Sequence, residues 1–186
     1  MCRYSMANYK PHYACFNCRK TFKRRLLRDI RKGAQKDENA SLARCPDCGN
    51  LMANMGLDFK SPKKTDIKAW KHMLTLYEVG ITFHSCGCNG PGYIPNDSKA
   101  LVNYFEEIKK QYLAHQHFWA QRQEDPDEQS EIAKDQNQNW SFLSRIPQEL
   151  KTGSHKKPKY DAQNAQIYWN KKVELIEENI QKVSRK

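Results

Sequence analysis

Two Cys-x-x-Cys pairs constrain this chain more than any other feature. The first reads Cys15-Phe-Asn-Cys18 and the second Cys45-Pro-Asp-Cys48-Gly49, with 26 residues between them. Two residues between ligands let one tight turn present both sulfurs while backbone N–H groups point at them. Four thiolates in a tetrahedron complete the coordination sphere of one zinc ion. No position is left for water or substrate, so the spacing predicts a structural metal rather than a catalytic one. Gly49 follows the second turn, where a left-handed backbone is commonly needed, and Pro46 stiffens it. The competing use of such pairs, a redox dithiol, normally has one pair in a βαβ pattern, which this region lacks.

The rest of the chain is poor in material for a core. Leu, Ile, Val and Phe make up 33 of 186 residues, and the net charge is +11, a combination on the disordered side of the compositional boundary. Nine Tyr and four Trp add burial area, and a bound zinc adds folding free energy on the order of 10 kcal/mol. The expected fold class is α+β, mostly α: a small four-cysteine zinc module with an inserted basic helix, then amphipathic helices and extended basic arms.

Residues 1–60 are expected to form the zinc module. Inside it, Phe22, Leu26 and Ile30 recur every four residues beside Leu27, predicting a helix over about 20–32 that stops at Gly33. Residues 61–123 read as helix, strand, loop and helix. The first helix, about 66–79, has Thr65 as its cap, a stripe of Ile67, Trp70, Leu74 and Tyr77, and Gly80 as its stop. Residues 81–85, ITFHS, read as a short strand and 86–95 as loop. Ser98 caps the next helix, about 99–123, with Leu101, Phe105, Ile108, Tyr112 and Trp119 on its buried side. Residues 124–161 are expected to be a polar linker. Its acids at 124–135 read as a solvated face, Trp140, Phe142, Leu143 and Ile146 as an apolar anchor, and 148–160 as a basic linker. A final helix, about 162–183 within the terminal segment 162–186, carries Trp169, Val173, Ile176, Ile180 and Val183.

The segments YACFNC and ARCPDCGNLM resemble the two knuckles of zinc-ribbon proteins, a superfamily that includes ribosomal proteins and transcription-machinery subunits. The resemblance covers roughly residues 13–52, about a fifth of the chain. It implies a four-thiolate zinc and a nucleic-acid or ribonucleoprotein context. Ribbons usually join their knuckles with β-strands, whereas this insert reads as a basic helix, against the usual three-stranded sheet.

His84, Cys86 and Cys88 form a second, less specific constellation. With His72 or Cys2 they would make another metal site. The alternatives are a tight turn with reduced thiols, which is the favoured reading, and a nucleophilic or redox cysteine, which would need a paired base and an oxyanion site. No Walker motif or HExxH sequence is present, and no catalytic residue is assigned.

Charge then narrows the partners. A sequence pI of about 9.3 is the electrostatic footprint of a polyanion binder. From Lys10 to Lys36, ten Lys or Arg face one acid, Asp29. Candidate nucleic-acid contacts are Arg19, Lys20, Lys23, Arg24, Arg25, Arg28, Arg31 and Lys32 in that segment, Lys63 and Lys64 in a second cluster, and Lys156 and Lys157 in a third. Tyr9, Tyr13 and Phe16 lie nearby and either stack on unpaired bases or, as favoured for Phe16, pack the module's own core. Basic arms, scattered aromatics and few aliphatics suit a protein folded against irregular RNA, such as ribosomal RNA, beside neighbouring ribonucleoprotein proteins. DNA groove readers instead carry a compact recognition helix. The alternatives are a DNA- or RNA-polymerase-associated adaptor, a Cys/His metalloenzyme, and a protein adaptor using the 162–183 helix. No stretch is apolar enough to span a bilayer and no secretory signal is visible. The expectation is a cytoplasmic protein with no membrane partner and no small-molecule substrate.

Overall fold

The computed structural model describes residues 10–24, 43–85, 90–154 and 156–185. The fold is α+β, with four α-helices among the described residues and about half of those residues helical. The chain divides into two compact units, Met1–Ser98 and Lys99–Lys186.

The first unit is built on a three-stranded antiparallel sheet. Its strands are β1 (His12–Cys15), β2 (Lys20–Lys23) and β3 (Ala53–Gly56), in the order β2-β1-β3. Side chains alternate across a strand, and β1 uses both faces. Ala14, with Ala53 and Met55 of β3, packs into a core with Phe59 and Trp70, joined by Phe16, Met73 and Phe83. Tyr13 and Cys15 point the other way, into a second cluster with Ala43, Cys45, Met52 and Phe22.

The helix expected over 20–32 does not begin at Lys20. Residues 20–23 are strand, in register with β1 from Cys15↔Lys20 to His12↔Lys23. Thr21 and Phe22 favour a pleated surface, and the ladder to β1 outweighs the four-residue periodicity of Phe22, Leu26 and Ile30. Residues 25–32 lie outside the described residues. The three-stranded sheet that the expected helix argued against is therefore present.

Helix α1 (Ile67–Glu78) matches the expected element to within a residue, but its cap is Asp66 rather than Thr65. The Asp66 carboxylate accepts the Ala69 N–H at 2.9 Å. The buried face also differs. Trp70, Thr75 and Leu76 are buried, whereas Ile67 is 53% and Tyr77 40% exposed. Leu74-Thr75-Leu76-Tyr77 sets apolar residues side by side, so periodicity alone could not choose the face. At the C-terminus, Ile81 N–H bonds Leu76 O and Gly80 N–H bonds Tyr77 O, with Gly80 at φ 81°. That is the paired closure of a Schellman motif. The expected strand at 81–85 is an extended segment instead. It is tied to the β3 region by Phe83 N–H to Met55 O and Asp58 N–H to Phe83 O.

The second unit holds α2 (Ser98–Gln121), α3 (Gln129–Leu143), a hairpin of β4 (Lys151–Ser154) and β5 (Lys157–Tyr160), and α4 (Ala162–Ser184). Trp119, Leu143, Ile146, Ala165 and Trp169 form its core. Helix α4 follows the sequence stripe closely: Trp169, Val173, Ile176 and Val183 are buried, and the Asp161 side chain caps it through Asn164 N–H. Two expectations are corrected here. Residues 151–154 and 157–160 pair as a hairpin rather than forming a linker, with Lys159 paired to Asp127 at 2.7 Å. The acids at 124–135 are not all a solvated face. Asp125 and Asp135 flank Arg122, and the side chains of all three are largely buried. On α3, Ile132, Asp135, Asn139 and Leu143 share the inward face by helical spacing. Trp140 lies about a quarter-turn away and is 66% exposed, so it does not serve as an apolar anchor.

Candidate metal centre

The two Cys-x-x-Cys pairs form matching hairpin turns. In the first, Cys15 ends β1, Cys18 lies in the turn, and Cys15 pairs with Lys20 across the ladder. In the second, Cys45 N–H bonds Asn50 O at 2.8 Å, Gly49 N–H bonds Cys45 O at 2.9 Å, and Arg44 bridges to Leu51. Each turn therefore spans from its first cysteine to a partner five residues on. The residue after the second cysteine has positive φ in both, Arg19 at 51° and Gly49 at 73°.

The four sulfurs lie within 4.8 Å of one another. Across the turns, Cys15 Sγ is 3.6 Å from Cys48 Sγ and Cys18 Sγ is 3.9 Å from Cys45 Sγ. Both separations are too long for a disulfide. They bracket the edge of about 3.8 Å that a tetrahedron of thiolates with metal–sulfur bonds of about 2.3 Å would have. Cys15 and Cys45 are buried, and Cys18 and Cys48 are half-buried. The donor set and its spacing fit a metal ion held by four thiolates.

The electrostatics of the cluster agree. Burial pushes the Cys15 thiol up. The Cys18 thiol is pushed up to about 12, first by its hydrogen bond with Cys48. Cys48 is lowered to about 6, chiefly by the Asn50 backbone N–H. The cluster thus sets one sulfur that favours the thiolate, Cys48, against two that resist it, Cys15 and Cys18, and the protons on those two are the ones a bound cation would displace. A divalent ion would make all four thiolates compatible.

Side chains beyond the ligands brace the two turns. Lys20 pairs with Asp47, joining the residue that follows the first turn to one inside the second. Arg44 Nη1 donates to Gly49 O at 3.1 Å, and Arg19 Nε to Lys64 O at 3.0 Å. The Asp47 and Arg44 roles carried no sequence signal. The equivalence of Arg19 and Gly49 did, since each directly follows the second cysteine of its pair.

The candidate nucleic-acid contacts divide into groups. Lys23 and Arg24 are exposed at the end of β2, Lys20 is exposed but paired, and Arg19 is half-buried. Lys63 and Lys64 are exposed. Two contacts tie their stretch to β2 and the first turn: Arg19 to Lys64 O, and Thr21 Oγ1 to Ser61 Oγ at 3.0 Å. Two basic clusters that are separate in sequence thus meet beside the cysteines. Lys156 and Lys157 are exposed on the hairpin of the other unit. Arg25, Arg28, Arg31 and Lys32 lie outside the described residues. Phe16 packs against Trp70 and Tyr77, with ring centroids 6.1 Å apart in each case, which favours its core role.

His84 is exposed, and Cys2, Cys86 and Cys88 lie outside the described residues. His72 Nε2 is 2.8 Å from Pro95 O, so that nitrogen is engaged as a donor. Among the described residues, the four cysteines are the one group of His, Cys, Asp or Glu placed to hold a metal ion. No described helix is long and apolar enough to cross a membrane.

No protein-family model matches the chain, and no curated protein or solved structure is significantly similar to it.

Proposed function

We propose that this chain is a structural, non-catalytic RNA-binding zinc protein of a ribonucleoprotein particle, with the ribosome the leading candidate. One observation carries the reading: the basic residues around β2 and the Lys60–Lys64 stretch join into one surface braced against the four-cysteine cluster. Zinc suits four closed thiolates better than other abundant divalent ions, which prefer oxygen donors or open positions. It would act by fixing the two turns, so that Lys23, Arg24, Lys63 and Lys64 are held in place rather than on a loose arm.

The chain's charge of +11 supports a polyanion partner, and the likeness of both turns to zinc-ribbon knuckles supports a ribonucleoprotein setting. RNA is favoured over duplex DNA because Lys23, Arg24, Lys63 and Lys64, the described candidate contacts beside the cysteines, lie on a sheet edge and a connecting segment, not on a helix shaped for the major groove. The test is sedimentation of the tagged full chain through a sucrose gradient, with and without RNase. Co-migration with ribosomal particles that RNase abolishes is the expected result. RNase-insensitive association with a polymerase would replace this reading with the transcription adaptor.

A further inference from the structure

Arg19 is the one non-glycine residue with positive φ among the described residues. Its counterpart in the second turn is Gly49, where an added Cβ would meet nothing within 4 Å. Gly49 is therefore not required for space. The turn itself demands a left-handed backbone at this position, and glycine meets that demand without strain while a Cβ-bearing residue is strained there. The first turn accepts the strain and places an arginine.

That arginine is aimed. Its Nε donates to Lys64 O at 3.0 Å, which fixes the guanidinium plane and occupies one of its five N–H donors. Among the described residues, no protein group accepts from Nη1 or Nη2. Asp47, the acid inside the second turn, is paired with Lys20. Exposed Lys63 and Lys64 lie in the very stretch that Arg19 grips, and Lys23 and Arg24 continue β2 beyond it.

We propose that Arg19 is the phosphate-binding arginine of the RNA interface. Its two Nη groups take two non-bridging oxygens of one phosphodiester, the bidentate geometry that a guanidinium matches and an ammonium does not. Lys63 and Lys64 neutralise the flanking phosphates. This inference rests on the RNA-binding reading above.

The test compares the zinc-loaded full chain with its R19G and R19K variants. It measures thermal unfolding, zinc content, and affinity for a short labelled single-stranded RNA of mixed sequence across a salt series. R19G is expected to keep its zinc and to unfold at no lower temperature than the parent, because relief of the left-handed strain offsets the missing bond to Lys64. Its RNA affinity is expected to fall about tenfold or more, with a salt slope smaller by about 0.7. R19K keeps the charge and the strain but lacks the fork, so its affinity should drop several-fold with an unchanged slope. If the parent binds the RNA and R19G binds it equally well, the inference fails while the RNA reading stands. If the parent does not bind RNA, both fail. Loss of zinc or a lower unfolding temperature in R19G would assign Arg19 a folding role and overturn the inference.

Discussion

Arg122 and Asp135 form a buried ion pair, with Nη2 2.8 Å from Oδ2 and side chains 8% and 17% exposed. Asp125 completes the clamp at 2.8 Å, and the Phe118, Trp119 and Tyr160 rings lie 5.2–5.8 Å from the guanidinium carbon. Asp125 also accepts the Tyr160 N–H. One arginine thus links the end of α2, the start of the 122–128 connection, α3 and the hairpin. Asp135→Ala should cost about 3–5 kcal/mol, because it leaves a buried charge half-paired. Urea unfolding followed by tryptophan fluorescence measures it, and a loss below about 1 kcal/mol would mean that Arg122 is held by Asp125 alone.

The same pair predicts an acid limb of stability. Burial raises the Asp135 pKa, but hydrogen bonds from Arg122 and Asn139 outweigh it and hold the carboxyl below its usual range. A carboxylate depressed in the folded state contributes stability that is present above its unfolded pKa, about 3.9. That contribution is lost as pH falls through the folded value. Asp135→Asn should flatten the acid limb below about pH 4, read as the change in unfolding midpoint with pH.

His115 should give a separate slope nearer neutrality. Its ring stacks on Trp169 with centroids 4.1 Å apart, it is 4% exposed, and its Nδ1 has no hydrogen-bond partner among the described residues. Burial, and secondarily the Arg145 charge, hold its pKa below the ordinary value. The folded state keeps the ring neutral while the unfolded chain takes up a proton below about pH 6.5. Stability is therefore full above that pH and declines as pH falls toward the folded pKa. His115→Phe should remove this slope. A slope of equal size in that variant would place its origin at another group.

For the metal centre, each chain is expected to bind one zinc, measured by elemental analysis of protein purified under reducing conditions. Cys45→Ser should lose it and unfold the sheet of the first unit, visible as loss of the slowest-exchanging amides of β1. Cys86→Ser and Cys88→Ser should leave zinc content unchanged. A stoichiometry near two that falls to one in those variants would establish a second site.

For the basic surface, replacing Lys23, Arg24, Lys63 and Lys64 together with alanine should lower the salt slope of binding to single-stranded RNA by about 0.7 for each phosphate no longer neutralised. Zinc content should not change, because none of these side chains braces the cysteines. An unchanged slope would move the interface to residues 25–32 or to the hairpin of the second unit.

The sequence revealed those parts of the fold whose cause is local. The cysteine turns were readable because the chain itself brings Cys15 to Cys18 and Cys45 to Cys48. Helix α4 was readable because Trp169, Val173, Ile176 and Val183 repeat at helical spacing over many turns. Strand β2 was not, because Lys20–Lys23 is extended only by virtue of its ladder to β1, which the periodicity of Phe22, Leu26 and Ile30 contradicts. The burial of Asp125 and Asp135 around Arg122 was not readable for a related reason. Asp135 lies 13 positions from its partner in a stretch with almost no apolar neighbours beyond Ile132 and Ala133, and only the packing of α2 against α3 buries it. The sequence likewise offered no sign that Thr21 would meet Ser61, the contact that brings the Lys60–Lys64 stretch to the cysteine turns.

Ala14 and Cys15 are adjacent on β1 and serve opposite faces, one in the core around Trp70 and the other in the sulfur cluster. The two clusters cannot separate without tearing the strand they share, so metal occupancy and the packing of α1 form a single cooperative unit. On the proposed zinc assignment, the free ion would act as a thermodynamic buffer on the whole of it. Above the dissociation constant, every tenfold rise in the free ion adds about 1.4 kcal/mol to the stability of the sheet and helix together, so metal supply would set the lifetime of a surface that contains no metal ligand.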